Sequence, residues 1–340
     1  MIGAVRERKA LAFVRVNPLE HEEELKRFMV ANGYVTFPDF FDRGYPSAVR
    51  DGAATWVALD DERKVRLSIT CFPHTMALGE RRLLVGMLGN LMADEGVRTF
   101  FPAVALVRRL LADVRAEGRL DLVCTDGTAQ AAAIFKGAGM RVAGHLERFV
   151  FPVRERRLHV DAAIRAYQVW RRIRGPRLAP IAAHVAAEFD AAPFDAPIGI
   201  SHRLRPHHSF DVCRRRLPGY PGTNDHWFTF PCGERYGSTT ALVRWPDEDG
   251  LAVLHAIRRP SGAVLTPIVN ALVRALRKRG AQRLQVCTLR ESVFARELIE
   301  AGFIPRGDPM PILVHPLSLA GENAVRAVAD WEITSFDMER

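Results

Sequence analysis

The stretch Arg119-Leu-Asp-Leu-Val-Cys124-Thr125, followed by Ala138-Gly139-Met140, recurs as Arg283-Leu-Gln-Val-Cys287-Thr288, followed by Ala301-Gly302-Phe303. Cys124 and Cys287, and Gly139 and Gly302, share one offset of 163 residues. Upstream, Leu106-Val107-Arg108 matches Leu272-Val273-Arg274 at an offset of 166. Downstream, Phe149-Val150-Phe151-Pro152 resembles Ile312-Leu313-Val314-His315-Pro316. A separation kept across both an apolar strand and an Ala-Gly helix stop points to a duplicated unit. Each copy reads helix, strand, helix, Ala-Gly turn, strand, which is the alternation of an α/β fold.

The first copy extends backwards. An amphipathic helix over 20–31 puts Leu25, Phe28 and Met29 on one face. Strands are expected over 55–59, 65–72 and 83–92 and a helix over 103–114, with Pro102 suited to its first turn. A strand over 120–124, a helix over 128–137 and a strand over 148–153 complete it. The second copy reads as strands over 239–245 and 251–257, a helix over 264–279, a strand over 283–288, a helix over 292–301 and a strand over 312–315. Between them lie predicted helices over 160–174 and 178–189 and a polar, proline-punctuated region over 196–236. The expected architecture is α/β with mixed sheets: one domain over 1–155, a helical linker over 156–195 and a second domain over 196–340.

Composition agrees with that size. The chain has 340 residues, 48% hydrophobic and 26% charged, which is globular composition and enough for two domains. No apolar run approaches the ~18 residues of a membrane-spanning helix. The basic N-terminus is followed by only a short apolar stretch, Ala10 to Val14, before Arg15, less than a signal peptide requires; a cytoplasmic chain is expected. The five cysteines are scattered and never form Cys-x-x-Cys, which argues against a disulfide framework or structural zinc. His202, His207, His208 and Cys213 crowd one segment, but their spacing matches no zinc pattern, so no metal is expected. Of the 48 basic residues behind the net charge of +9, 43 are arginine, spread along the chain. The densest run, from Arg154 to Arg177, is interleaved with apolar residues as on a solvated helix face. Such charge attracts phosphates of any kind, but no aromatic RNA platform or zinc-finger spacing accompanies it.

This element order resembles the GCN5-related N-acetyltransferase superfamily, in two tandem copies that cover most of the chain, as in FemAB-like and other tandem acyltransferases. The C-terminal Trp331-Glu-Ile-Thr-Ser-Phe-Asp337 resembles the short tail that closes many tandem members. The resemblance implies two acyltransferase domains, acetyl-CoA or another acyl-CoA as co-substrate, and a loop Arg/Gln-x-x-Gly-x-Gly/Ala whose backbone amides face the pyrophosphate at a helix N-terminus. In the first copy that loop is Arg98-Thr-Phe-Phe101-Pro-Ala103, where Phe101 replaces the central glycine. In the second it is Arg259-Pro-Ser261-Gly262-Ala263-Val264, which keeps the arginine and glycine but ends on valine. Glycine leaves the backbone open to phosphate. The resemblance therefore places the cofactor at Arg259, Ser261, Gly262, Ala263 and Val264, with Arg98, Phe101 and Ala103 as the rival N-terminal site.

The tyrosine that many members use as a general acid falls at Phe135 and Leu298, which carry no proton to donate. His255, on the predicted strand 251–257, is the candidate general base. Glu291 and Asp126-Gly127 open equivalent helices and suit the helix dipole. The implied activity is transfer of an acyl group from acyl-CoA to an amine of a small molecule or peptide. Two alternatives stand beside it. One is an aminoacyltransferase using aminoacyl-tRNA, which the basic charge suits; the other is a non-catalytic binding protein in which both loops have decayed.

Overall fold

Alternating apolar stretches recur through both halves of the chain, and in the computed structural model they assemble into one 13-stranded mixed sheet. The structure describes residues 11–78, 81–154, 184–185, 204–206, 225–231, 238–259 and 263–334. The first half runs β1 (Ala12–Val16), α1 (Glu22–Ala31), α2 (Phe37–Arg50), β2 (Ala54–Leu59), β3 (Val65–Leu78) and β4 (Arg81–Ala93). It continues with α3 (Phe100–Glu117), β5 (Leu122–Asp126), α4 (Ala129–Gly137) and β6 (Arg141–Pro152). Two short strands follow, β7 (His184–Val185) and β8 (Leu204–Pro206). The second half runs β9 (Asp225–Pro231), β10 (Ser238–Arg244), β11 (Leu251–Arg258), α5 (Leu265–Lys278), β12 (Arg283–Leu289), α6 (Val293–Glu300), β13 (Ile304–Pro316) and α7 (Leu319–Arg326). Three strands, helix, strand, helix, strand thus occurs twice, in the order that the repeat implies.

The strand order is β1-β2-β3-β4-β5-β13-β6-β12-β11-β10-β9-β7, with β8 on the far end of β3. The halves do not keep their own closing strands. β13, from the second half, pairs with β5 of the first, while β6, from the first, pairs with β12 of the second. β6 and β13 also pair with each other at the centre. Through these ladders Asp126 at the end of β5 lies level with Gly144, and Leu289 at the end of β12 lies level with Leu146. The C-terminal ends of β5 and β12, approaching from opposite directions, therefore meet near His145.

Local chemistry explains the helix ends. Gly139 and Gly302 have φ of 98° and 100°, a left-handed conformation that glycine adopts without Cβ strain. In each copy the next residue reaches back over the helix end, Met140 N–H to Phe135 O and Phe303 N–H to Leu298 O, both 3.0 Å. Thr128 and Ser292 cap the same two helices at their N-termini through side-chain oxygens. Three apolar clusters form the core. One lies under α1, α2 and α7, one under α3 and α4, and one under α5 and α6.

The structure departs from the sequence reading in several places. His184 and Val185, expected inside a helix over 178–189, form a strand on β9. α2 carries no sequence-based expectation; it contains Gly44 and Pro46, but Phe37, Phe41 and Tyr45 are spaced at four residues and bury one face that outweighs these breakers. β13 is far longer than 312–315, since Pro305, Pro309 and Pro311 masked its first part. β1 forms on the short apolar stretch after the basic N-terminus, and β9 falls within the polar, proline-punctuated region over 196–236. The predicted helix over 160–174 lies outside the described residues.

Candidate active site

Each half contains a pair of parallel strands that start together and part. β4 and β5 pair only at Val85–Leu122, Gly86–Val123 and Met87–Cys124. β11 and β12 pair only at Leu251–Arg283, Ala252–Leu284 and Val253–Gln285. A bulge in the outer strand of each pair drives the divergence. Asn90 of β4 has φ of 56°, and the register against β3 slips between Ser68 and Thr70. On β11 the slip falls at His255, which the β10 register skips between Leu254 and Ala256. In doubly wound sheets ligands bind outside the carboxyl ends of parallel strands where the strands part.

The two clefts differ in what fills them. In the second half, Trp331 to Thr334 of the chain's own tail lies between the walls. Thr334 bridges to Thr288 of β12, and its hydroxyl donates to the carbonyl of His255 on β11. The Thr288 hydroxyl donates in turn to the Ile333 carbonyl. The tail's side chains alternate as in a strand: Trp331 and Ile333 enter the core under α1 and α2, while Glu332 reaches Arg259. Trp331 Nε1 donates to Ala324 O at 2.8 Å, which anchors the segment to α7.

Arg259 is therefore an internal strut. Only 3% exposed, it donates to Glu297 of α6, to Glu332 of the tail at 3.4 Å and to Ala263 O at 2.9 Å, and lies over the ring of Phe294. Its partners within the protein are two carboxylates and a carbonyl. The two arginines are also not equivalent. Arg98 stands one residue before Thr99, the N-cap of α3, whereas Arg259 stands five before Val264, the N-cap of α5. Helix alignment instead pairs Pro102 with Pro267, each the third residue of its helix. Ser261 and Gly262 lie outside the described residues. Val264 is exposed, and the Ala263 carbonyl is taken by Arg259. His255 is buried in the sheet beneath the tail.

In the first half β4 and β5 part beyond Met87 and Cys124. The Thr125 hydroxyl spans the fork to Leu88 O at 3.1 Å. At the bulge, Asn90 Nδ2 donates to the Tyr45 hydroxyl at 2.8 Å, and Tyr45 meets Thr70 Oγ1 at 3.0 Å, which meets Thr55 Oγ1 at 2.8 Å. Four polar side chains thus pin α2 to the point where β4 turns away. At the mouth stands the N-terminus of α3, with Arg98 folded onto Ala93 O at 3.3 Å and Ala103 buried. Phe101 is 70% exposed beside the half-exposed Phe100. Phe100 and Phe101 meet edge to face, and Phe100 crosses Gly137, where a Cβ would clash at 2.7 Å.

Between the two clefts lies a group that sequence reasoning missed. Glu291 accepts from both the backbone N–H and ring Nδ1 of His145, each at 2.9 Å. Partial burial would raise the Glu291 carboxyl, but the hydrogen bonds from His145 outweigh it and hold the group below its ordinary range. Only Gly89-Asn90, a turn-type pair inside an apolar strand, signalled the bulge in the sequence. Nothing local announces the His145–Glu291 pair, which is 146 residues apart. Among the described residues no group of three or more His, Cys, Asp or Glu is placed to hold a metal, and no helix is long and apolar enough to cross a membrane. The segment with His202, His207, His208 and Cys213 lies outside those residues.

This fold has counterparts among solved structures. A probable N-acyltransferase from Enterococcus faecalis superposes with a TM-score of 0.63 at 9% identity, over 92% of this chain and 74% of that one. A GCN5-related N-acetyltransferase from Anabaena variabilis gives 0.62 at 11%, over 91% and 74%. One from Kribbella flavida gives 0.60 at 14%, over 91% and 71%. The fold is that of the GCN5-related N-acetyltransferases. No protein-family model matches the sequence, and no curated protein matches it at the sequence level. Within the acetyltransferase fold, the forked strands and the helix that follows the first of them are the parts whose geometry differs between the two halves here.

Proposed function

We propose that this protein is an N-acyltransferase of the tandem type, taking its acyl group from a pantetheine thioester held between β4 and β5 of the N-terminal half. One observation carries the reading. The equivalent cleft in the other half is filled by an extended, amide-bearing segment that hydrogen-bonds to both walls, and a pantetheine arm is another such chain with two amides. The C-terminal half then acts as scaffold, its cleft closed by its own tail. This reverses the expectation that the C-terminal loop would be the cofactor site.

A bound thioester supplies an activated acyl carbon to a neutral amine. The amine nitrogen bonds to that carbon, the carbon–sulfur bond breaks, the thiolate leaves and the amine gives up a proton. Asn90 and Tyr45 shape the wall at the bulge by hydrogen bonding, and Thr125 fixes the depth at which the fork begins. Phe135, the position of the usual acid, is buried and carries no proton, so thiolate protonation falls to water or to the hydroxyl network.

Thermal-shift measurements with S-acetyl-pantetheine and acetyl-CoA, then thiol release against a panel of amines, test the reading. A binder at 100 times its Kd stabilises by about 2.7 kcal/mol. No stabilisation and no thiol release with either thioester would leave a non-catalytic protein on an acetyltransferase fold.

A further inference from the structure

The mouth of the β4–β5 cleft faces whatever the pantetheine arm is attached to, and an exposed ring stands there where the phosphate loop would have glycine. Phe101 projects from the first turn of α3, and Pro102 beside it removes one backbone N–H from that turn. The aromatic pair is ringed by cations. Arg98 adjoins it, Lys136 is exposed at the end of α4, and Arg108 reaches Gly137 O, the residue crossed by Phe100. The first turn of α3 holds no acidic residue, and Glu95 is an exposed carboxylate on the loop before it. An exposed apolar pair rimmed by positive charge, at the entrance of a cleft for an extended arm, is a docking surface for an acidic protein.

Resting on the thioester reading above, we infer that the acyl donor is a carrier protein, an acidic partner whose phosphopantetheine arm enters the cleft while its surface covers Phe100 and Phe101. The chemistry is unchanged. The amine nitrogen bonds to the acyl carbon, the carbon–sulfur bond breaks, the carrier's thiolate leaves, and the one proton given up by the amine, relayed through solvent, converts that thiolate to the thiol. On this inference the nucleotide of coenzyme A contributes little to binding.

Calorimetric titration of the full chain with acetyl-CoA, S-acetyl-phosphopantetheine and an acetylated bacterial acyl carrier protein tests this. Acetyl-CoA and S-acetyl-phosphopantetheine are expected within threefold of each other. The carrier protein is expected at least tenfold tighter than either, with affinity falling as salt rises. Phe101→Asp and Lys136→Glu should each weaken the carrier protein at least fivefold, and both positions are exposed, so the fold survives the change. Acetyl-CoA binding tenfold or more tighter than S-acetyl-phosphopantetheine would overturn the inference and leave the acyltransferase reading intact. So would a carrier protein that binds no tighter than its arm. Absence of binding by all three would overturn both.

Discussion

Arg259→Met separates a strut from a ligand contact. The wild-type guanidinium compensates Glu332, whose side chain is 4% exposed, and Glu297, whose side chain is 25% exposed. With Arg259 gone, Glu297 can turn toward water but the buried Glu332 loses the cation that faces it. Removing one partner of a buried pair costs about 3–5 kcal/mol. At roughly 2 °C or slightly more per kcal/mol for a chain of this size, the melting temperature should fall by about 6–10 °C. Arg259→Met/Glu332→Met, which removes that carboxylate as well, should recover most of the loss, because a buried ion pair as a whole is often near neutral against apolar replacements. Thermal unfolding of wild type, both single variants and the double variant by circular dichroism closes the cycle. If Arg259→Met melts within about 1 kcal/mol of wild type, or the double variant is no better than the single, Arg259 does not hold the tail and the closed second cleft loses its support.

Other expectations follow from features already described. Gly139→Val should destabilise by ~1 kcal/mol or more through backbone strain alone, since no atom lies within 4 Å of the added Cβ; Gly139→Asn, which tolerates a left-handed φ, should lose less, and equal melting of both would refute the assignment. The lowered carboxyl of Glu291 means that the unfolded chain binds its proton more readily. Its contribution is complete above the ordinary carboxylate range and fades as pH falls through the lower folded value, so Glu291→Gln should flatten the acid side of the stability–pH curve, as acid titration of both proteins would show.

Much of the fold was legible because duplication writes the same physical instruction twice. The Ala-Gly stop at 138–139 and 301–302 ends two helices with the same hydrogen bonds, and chemistry that local is visible in a sequence. The site was less so. Arg259 and Gly262 fit a motif by spacing, but spacing is silent on the direction in which a guanidinium points. That direction is set by Glu297 and Glu332, 38 and 73 residues away. The tail was recognised by its tryptophan, yet its position between β11 and β12 depends on a cleft that exists only once both strands have formed. In the N-terminal half, Phe101 read as a defect in a phosphate loop. With the other cleft closed by the tail, the same exposed ring is better read as part of a different donor's surface.

The exchange of closing strands has a consequence for the order in which the protein can be made. β13 is the neighbour of β5, but it is translated almost 180 residues after it, so the N-terminal half leaves the ribosome with the edge of β5 bare. Until residues 304–316 emerge, that edge can be covered only by a chaperone, by a temporary partner strand or by β6 in a non-native pairing. A chain halted before β13 would therefore be more than a shortened protein: it would carry an open sheet edge, a standing invitation to aggregate.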